Sequence, residues 1–194
     1  GRCQEWPVGA PVTLHTLATL MISESDNTAA DHLIHLLGRE KIEDTLRETG
    51  HAHSQLNSPL LTTAEFFKLK NVETAEEYLS KGTESRREYL ESKVAGMRLE
   101  PSMVADTRAA ALADRIEWFA SAWDICRALN WLRQCEGSST ALELLGIHKP
   151  IAWPRRGWEY AGYKGGAEPG VVAVALLLRR TNGDWYVLAA CAND

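Results

Sequence analysis

The chain has 194 residues, 45% of them apolar and 24% charged, with a formal net charge of −5. That is the make-up of a single globular domain, and it excludes a disordered tail, a collagen-like repeat and a disulfide-dense miniprotein. The longest apolar run, Val171 to Leu178, is far short of the ~20 residues of a membrane helix, and an acidic balance argues against nucleic acid, which needs a clustered basic surface.

The chain begins at Gly1 rather than Met, with no charged-then-apolar leader, and reads as a processed chain or a piece of a longer one. Thr13 can cap a first helix, whose stripe is Leu14, Leu17, Leu20 and Met21. Five polar residues, Ser23 to Asn27, interrupt that stripe. It resumes as Ala30, Leu33, Ile34 and Leu37 and closes at Gly38, a good C-cap. A short helix is expected over 41–49, ended by Gly50, and a loop from His51 to Leu61. Thr62 or Thr63 then caps a helix carrying Phe66, Phe67 and Leu69. The charged stretch 74–95 reads as a pair of solvent-exposed helices, with Glu84 to Lys93 a solvated face. Apolar residues at 119, 122, 125, 126, 129 and 132 predict a helix from Ile116 to Leu132.

Beyond Pro150 the pattern changes to strands at Trp158–Lys164, Gly170–Arg179 and Asp184–Ala192. Asn182-Gly183 supplies the positive φ angles of a tight hairpin between the last two. Cys3, Cys126, Cys135 and Cys191 lack CxxC spacing and read as buried or free thiols; Cys126 and Cys135 lie nine apart, on opposite faces of a helix. His32 and His35, and His51 and His53, have no carboxylate or cysteine partner at ligand spacing, so no metal is expected. Trp118, Trp123 and Trp131 read as core and rim packing.

Two polar clusters interrupt this apolar framework. Ser25-Asp26-Asn27 reads either as a helix N-cap or as the wall of a cleft. Lys164-Gly165-Gly166-Ala167 reads either as a turn or as a strand end whose lysine and open backbone N–H groups bind an anion or polarise a carbonyl.

Together, the clusters point to a family. Met21 to Asp31 resembles the Ser-Asp-Asn segment of the class A β-lactamase and penicillin-binding serine hydrolase superfamily. Leu61-Thr62-Thr63-Ala64-Glu65 is similar to the segment after that family's active-site loop, and Tyr163-Lys164-Gly165-Gly166 falls where its lysine strand belongs. The resemblance implies an α+β fold in one partial domain: a helical lobe over about 12–135 and a three-stranded antiparallel part over about 150–194, without the nucleophile helix and N-terminal strands. It implies a bacterial, exported serine hydrolase that cleaves an amide or ester of a small molecule or peptide through an acyl-enzyme, with no cofactor. A D-alanyl-D-alanine peptidase shares every motif present, and a non-catalytic binding module on the same scaffold is the alternative.

By the same resemblance, Ser25 relays a proton to the leaving group and Asn27 hydrogen-bonds the substrate amide. Lys164 supplies positive potential near Ser25 and the substrate carboxylate. Gly165 and Gly166 line the substrate strand, and the Ala167 N–H forms half of an oxyanion hole. Asp26 braces the loop. The departures are equally specific. Only 24 residues precede Ser25, none forming the family's Ser-x-x-Lys nucleophile motif, and Ser80-Lys81 and Ser92-Lys93 have the wrong spacing. Without a nucleophile and its base, covalent acyl transfer has no starting point, so the chain is catalytically incomplete. Gly165 stands where Thr or Ser is usual, and His53 where a glutamate precedes the Leu56-Asn57 pair.

Two geometric expectations follow. Ser25 and Lys164 should lie within roughly 8 Å of each other across one cleft. Trp185 to Ala192 should present an unpaired sheet edge, which a second copy or a separate N-terminal fragment could cover.

Overall fold

The Thr13 hydroxyl accepts the Thr16 N–H at 3.1 Å and so starts α1 (Leu14–Ser23). The computed structural model describes residues 1–70, 72–104, 112–147 and 156–193. The polar break follows α1, and Asp26 caps α2 (Asn27–Leu37), which closes at Gly38 in a positive-φ conformation. Next comes α3 (Arg39–Glu48). A capping box of Thr62 and Glu65 starts α4 (Thr63–Leu69).

The stretch expected to be solvated is half core. It folds as α5 (Val72–Leu79), α6 (Thr83–Tyr89) and a wide-turned segment, Leu90–Val94. Ala75, Tyr78, Tyr89, Leu90 and Val94 are buried in one cluster with Leu61, Phe66, Leu69, Leu112 and Ile116. Their apolar stripe is narrow and the charges around it are dense, so composition hides it. Burial of each large side chain there contributes about 1.5–3 kcal/mol. Arg87, also expected in solvent, bridges Glu40 and the buried Glu43 at 2.7 Å each.

After α7 (Pro101–Val104), the long helix expected from Ile116 is shorter: α8 spans Ala122–Leu132. Ser121 and Asp124 form a capping box that sets its start. The preceding residues are pinned as extended chain, because the Asn57 amide both accepts the Phe119 N–H and donates to the Phe119 carbonyl, each at 2.8 Å. The helix ends before Cys135, so the two cysteines do not share a helix, and all four thiols are free. Next is α9 (Ser138–Leu145).

The sheet has the order β1 (Trp158–Glu168), β2 (Val171–Arg180), β3 (Trp185–Asn193), all antiparallel. β1 runs on through Gly165 and Gly166, four residues beyond its expected end. α8 packs across β3 and β2, and α9 against β1. This leaves one edge of the helical lobe facing the glycine-rich end of β1. Among the described residues nothing pairs with the outer edge of β3, where Tyr186 and Leu188 are 43% and 50% exposed.

Candidate active site

The break after α1 places three polar residues in three different settings. Asp26 is buried: its carboxylate accepts the Cys3 N–H at 2.9 Å and the Ala29 N–H at 3.1 Å. Burial alone pushes its pKa up, but the bonds from Cys3 and Ala29 outweigh this and hold the carboxyl below the usual range. Ser25 and Asn27, on either side of this anchor, are exposed. Ser25 adopts φ +51°, a left-handed conformation that costs a serine about 1–2 kcal/mol. The anchored neighbour and the start of α2 impose that conformation, and it turns the Ser25 hydroxyl toward the sheet.

Lys164 meets it there. Its Nζ donates to Ser25 Oγ at 2.5 Å, across 139 residues of sequence, and also to the Gly165 carbonyl. Partial burial depresses the Lys164 pKa from the ordinary lysine value. Among the described residues no carboxylate forms a salt bridge with it, and it lines the cleft.

Ser25, Asn27, Lys164, Gly165, Gly166 and Ala167 all line one open cleft of about 850 Å³. The sequence-derived residues therefore converge. Gly165 has a local cause: a Cβ there would lie 2.3 Å from the Tyr163 hydroxyl, so Thr or Ser would require that ring to move. At Gly166 a Cβ would meet nothing within 4 Å, which leaves the strand backbone open to the cleft. Asn57, from the Leu-Asn pair, is buried in its Phe119 contacts, and His53 is exposed. Trp118 stacks on Phe66 with centroids 4.4 Å apart and donates its indole N–H to the Leu61 carbonyl at 3.0 Å, whereas Trp123 is 66% exposed.

Sequence reasoning missed a second charged group in the same cleft. Glu117 and Glu168 line it, and behind them lies Lys70, whose side chain is 1% exposed against 14% and 13% for the two carboxyls. Lys70 Nζ sits 2.9 Å from Glu168 Oε1, 3.9 Å from Glu117 Oε2, and 4.5 Å from the Phe66 ring centroid. Glu117 Oε1 accepts the Trp118 N–H at 2.9 Å. Oε2 is buried and accepts from no N–H or O–H donor among the described residues, and it lies 3.9 Å from Lys70 Nζ. Burial, then a hydrogen bond and charge repulsion from Glu168, push the Glu117 carboxyl up to about 8, against the pull of Lys70 and the Trp118 N–H. No local pattern marks these three residues, because a lysine at a helix end and a glutamate before an aromatic pair are ordinary. Among the described residues there is no metal-ligand cluster, and no helix is long and apolar enough to cross a membrane.

With this geometry in view, the comparisons with known proteins are specific. Residues 1–124 match the β-lactamase enzyme family, a stretch that includes Ser25 to Asn27 and Glu117 but ends before the sheet. The β-lactamase from Sphaerobacter thermophilus has a similar fold (TM-score 0.61, 22% identity), covering 100% of this chain and 59% of that one. L2 complexed with relebactam overlaps more loosely, at TM-score 0.38 and 19% identity over 95% of this chain and 57% of that one. No curated protein matches.

Proposed function

This chain belongs to the β-lactamase enzyme family, and from that premise we propose that its cleft is the substrate-holding part of a serine hydrolase acting on an amide or ester through an acyl-enzyme. The observation that carries the reading is the Lys164–Ser25 contact at 2.5 Å, which joins the two polar clusters across one cleft. Lys164 attracts a ligand carboxylate and keeps Ser25 Oγ hydrogen-bonded, so that Ser25 can pass a proton toward a leaving group. Asn27, exposed at the first turn of α2, offers an amide to a ligand carbonyl or N–H. The Ala167 N–H serves as an oxyanion donor from the open end of β1.

These groups bind, orient and stabilise charge, but they do not attack. Among the described residues Ser25 Oγ meets Lys164 as a hydrogen-bond donor and not as a base. The 194 residues contain no Ser-x-x-Lys motif. In the reading proposed, acyl transfer belongs to a whole protein that supplies that motif. The same absence favours a second reading, a non-catalytic module that binds the same ligands. A Ser-x-x-Lys helix elsewhere in the parent protein separates the two.

Binding of benzylpenicillin, followed by NMR titration of the chain, tests the part both readings share. Shifts should cluster at Ser25, Asn27 and 164–167. Lys164→Met should weaken binding about tenfold or more, the worth of one charge-assisted bond. Binding that ignores Lys164→Met would refute the role given to that lysine.

A further inference from the structure

Beside the cleft that holds Ser25 and Asn27 lies a second cavity, of about 440 Å³ and open to solvent, which takes no part in the proposed function. Leu46, Leu60, Ile125, Ala128, Leu129 and Val174 contribute apolar wall to it. Its origin is local. Ile125, Ala128 and Leu129 stand at i, i+3 and i+4 on one face of α8. Lys164 pairs with Ala175 and Gly166 with Ala173, so these four share one face of β1 and β2, and all four line the cavity. Beside the lysine that face carries only glycine and alanine. Small residues on both the sheet and the helix leave room that larger core side chains would fill.

The other polar side chains on this wall are already committed. The Asn57 amide holds the N–H and the carbonyl of Phe119 at 2.8 Å each, and His51 Nε2 donates to the same carbonyl at 2.8 Å. Asp124 accepts the Ala52 N–H at 2.9 Å and the Ser121 N–H at 3.0 Å. Lys164 is different. With Gly165 and Gly166 it lines both cavities, and among the described residues no carboxylate forms a salt bridge with it. An apolar pocket with one cation on its wall suits a ligand with an anionic head and a hydrocarbon body.

We propose that this cavity is an apolar subsite that takes the unbranched hydrocarbon chain of a ligand whose carboxylate sits on Lys164. The proposal rests on the anion-binding role given to Lys164 for the head group only. The cavity has roughly three times the ~150 Å³ that holds a benzene molecule in an engineered protein interior, which is room for a chain of medium length. Each methylene that leaves water there tightens binding about fourfold. The substrates of the cleft then narrow to amides or esters that carry an apolar chain beside a carboxylate.

NMR titration of the 194-residue chain at neutral pH with butanoate, hexanoate, octanoate and decanoate tests this. Affinity should rise about tenfold per two-carbon step and level off once the cavity is full. Octanoate, unlike butanoate, should shift the methyl signals of Ile125, Leu129 and Val174. Ala128→Met should end the rise at a shorter chain and Ala128→Phe at a shorter one still, with butanoate affinity unchanged in both. A flat series in the wild type, methyl signals that stay in place, or a rise unaltered in both variants would each overturn the subsite; the last would put the chain elsewhere, as on the open edge of β3. Lys164→Met separates this claim from the one it rests on: it should weaken every member by a similar factor and leave the rise intact. If the series is flat but Lys164→Met still weakens it, the subsite fails and the anion role stands. If the rise persists and Lys164→Met changes nothing, the anion role fails and the subsite stands. Absence of binding by every member would overturn both.

Discussion

Glu117 and Asp26 show how the same residue chemistry is turned in opposite directions by a few neighbours. Asp26 is buried but receives backbone N–H bonds, and its carboxyl is held low; Glu117 is buried against another carboxyl, and its carboxyl is raised to about 8. A raised folded-state value favours the protonated form. The stability it confers is therefore complete below the unfolded pKa of ~4.3 and is lost as pH rises toward the folded value. The melting temperature of the wild type should fall between about pH 5 and pH 8 from this source, and Glu117→Gln should flatten that slope. An unchanged slope in the variant would show that Glu117 is ionised throughout. Gly165 gives a second test at this scale. Gly165→Ser should destabilise by about 1–3 kcal/mol through overpacking against the Tyr163 ring, and adding Tyr163→Ala should recover part of that loss. Denaturant midpoints of the single and double variants measure it. At this scale the sequence shows Ser25, Asn27 and Lys164, because each interrupts an apolar pattern. It does not show Lys70, Glu117 and Glu168, which are ordinary in their local windows and acquire meaning only when α4, the chain before α8 and β1 meet.

Among the elements, capping governs what the periodicity alone misplaces. An apolar period extends α8 back to Ile116, but the Ser121–Asp124 box starts it at Ala122, and Asn57 holds Phe119 in extended chain. Asp124 also accepts the Ala52 N–H at 2.9 Å, so one buried carboxylate ties the 51–57 segment to α8. Although burial opposes it, hydrogen bonds from Ser121 and Ala52 and the nearby His51 lower its pKa. Lowered carboxylates stabilise above their unfolded pKa, and that stability is lost as pH falls through the folded value. Asp124→Ala should therefore cost about 1–3 kcal/mol at neutral pH, and much less at the acid end of a urea-unfolding series. A cost independent of pH would mean that packing, not the carboxylate, carries the effect. The strands and the Asn182-Gly183 hairpin are legible because β-branched runs and turn residues are local signals. The buried stripe of α5 and α6 is not, since it is revealed only by what packs over it.

At the scale of the whole molecule, the helical lobe and the three-stranded sheet converge on one cleft, while the outer edge of β3 has no partner among the described residues. An open apolar edge promotes association. A Leu188→Lys change on that strand should reduce concentration-dependent scattering, without altering ligand binding, if this edge drives it. The chain spans 59% of the length of the Sphaerobacter β-lactamase, and in the function proposed its own residues hold and polarise a ligand. Intact-mass spectrometry of this 194-residue chain after incubation with a labelled penicillin tests that division of labour most directly. The account predicts an unmodified mass, because no base activates Ser25 among the described residues and no Ser-x-x-Lys motif is present in the sequence. An adduct that maps to Ser25 and disappears in Ser25→Ala would contradict it.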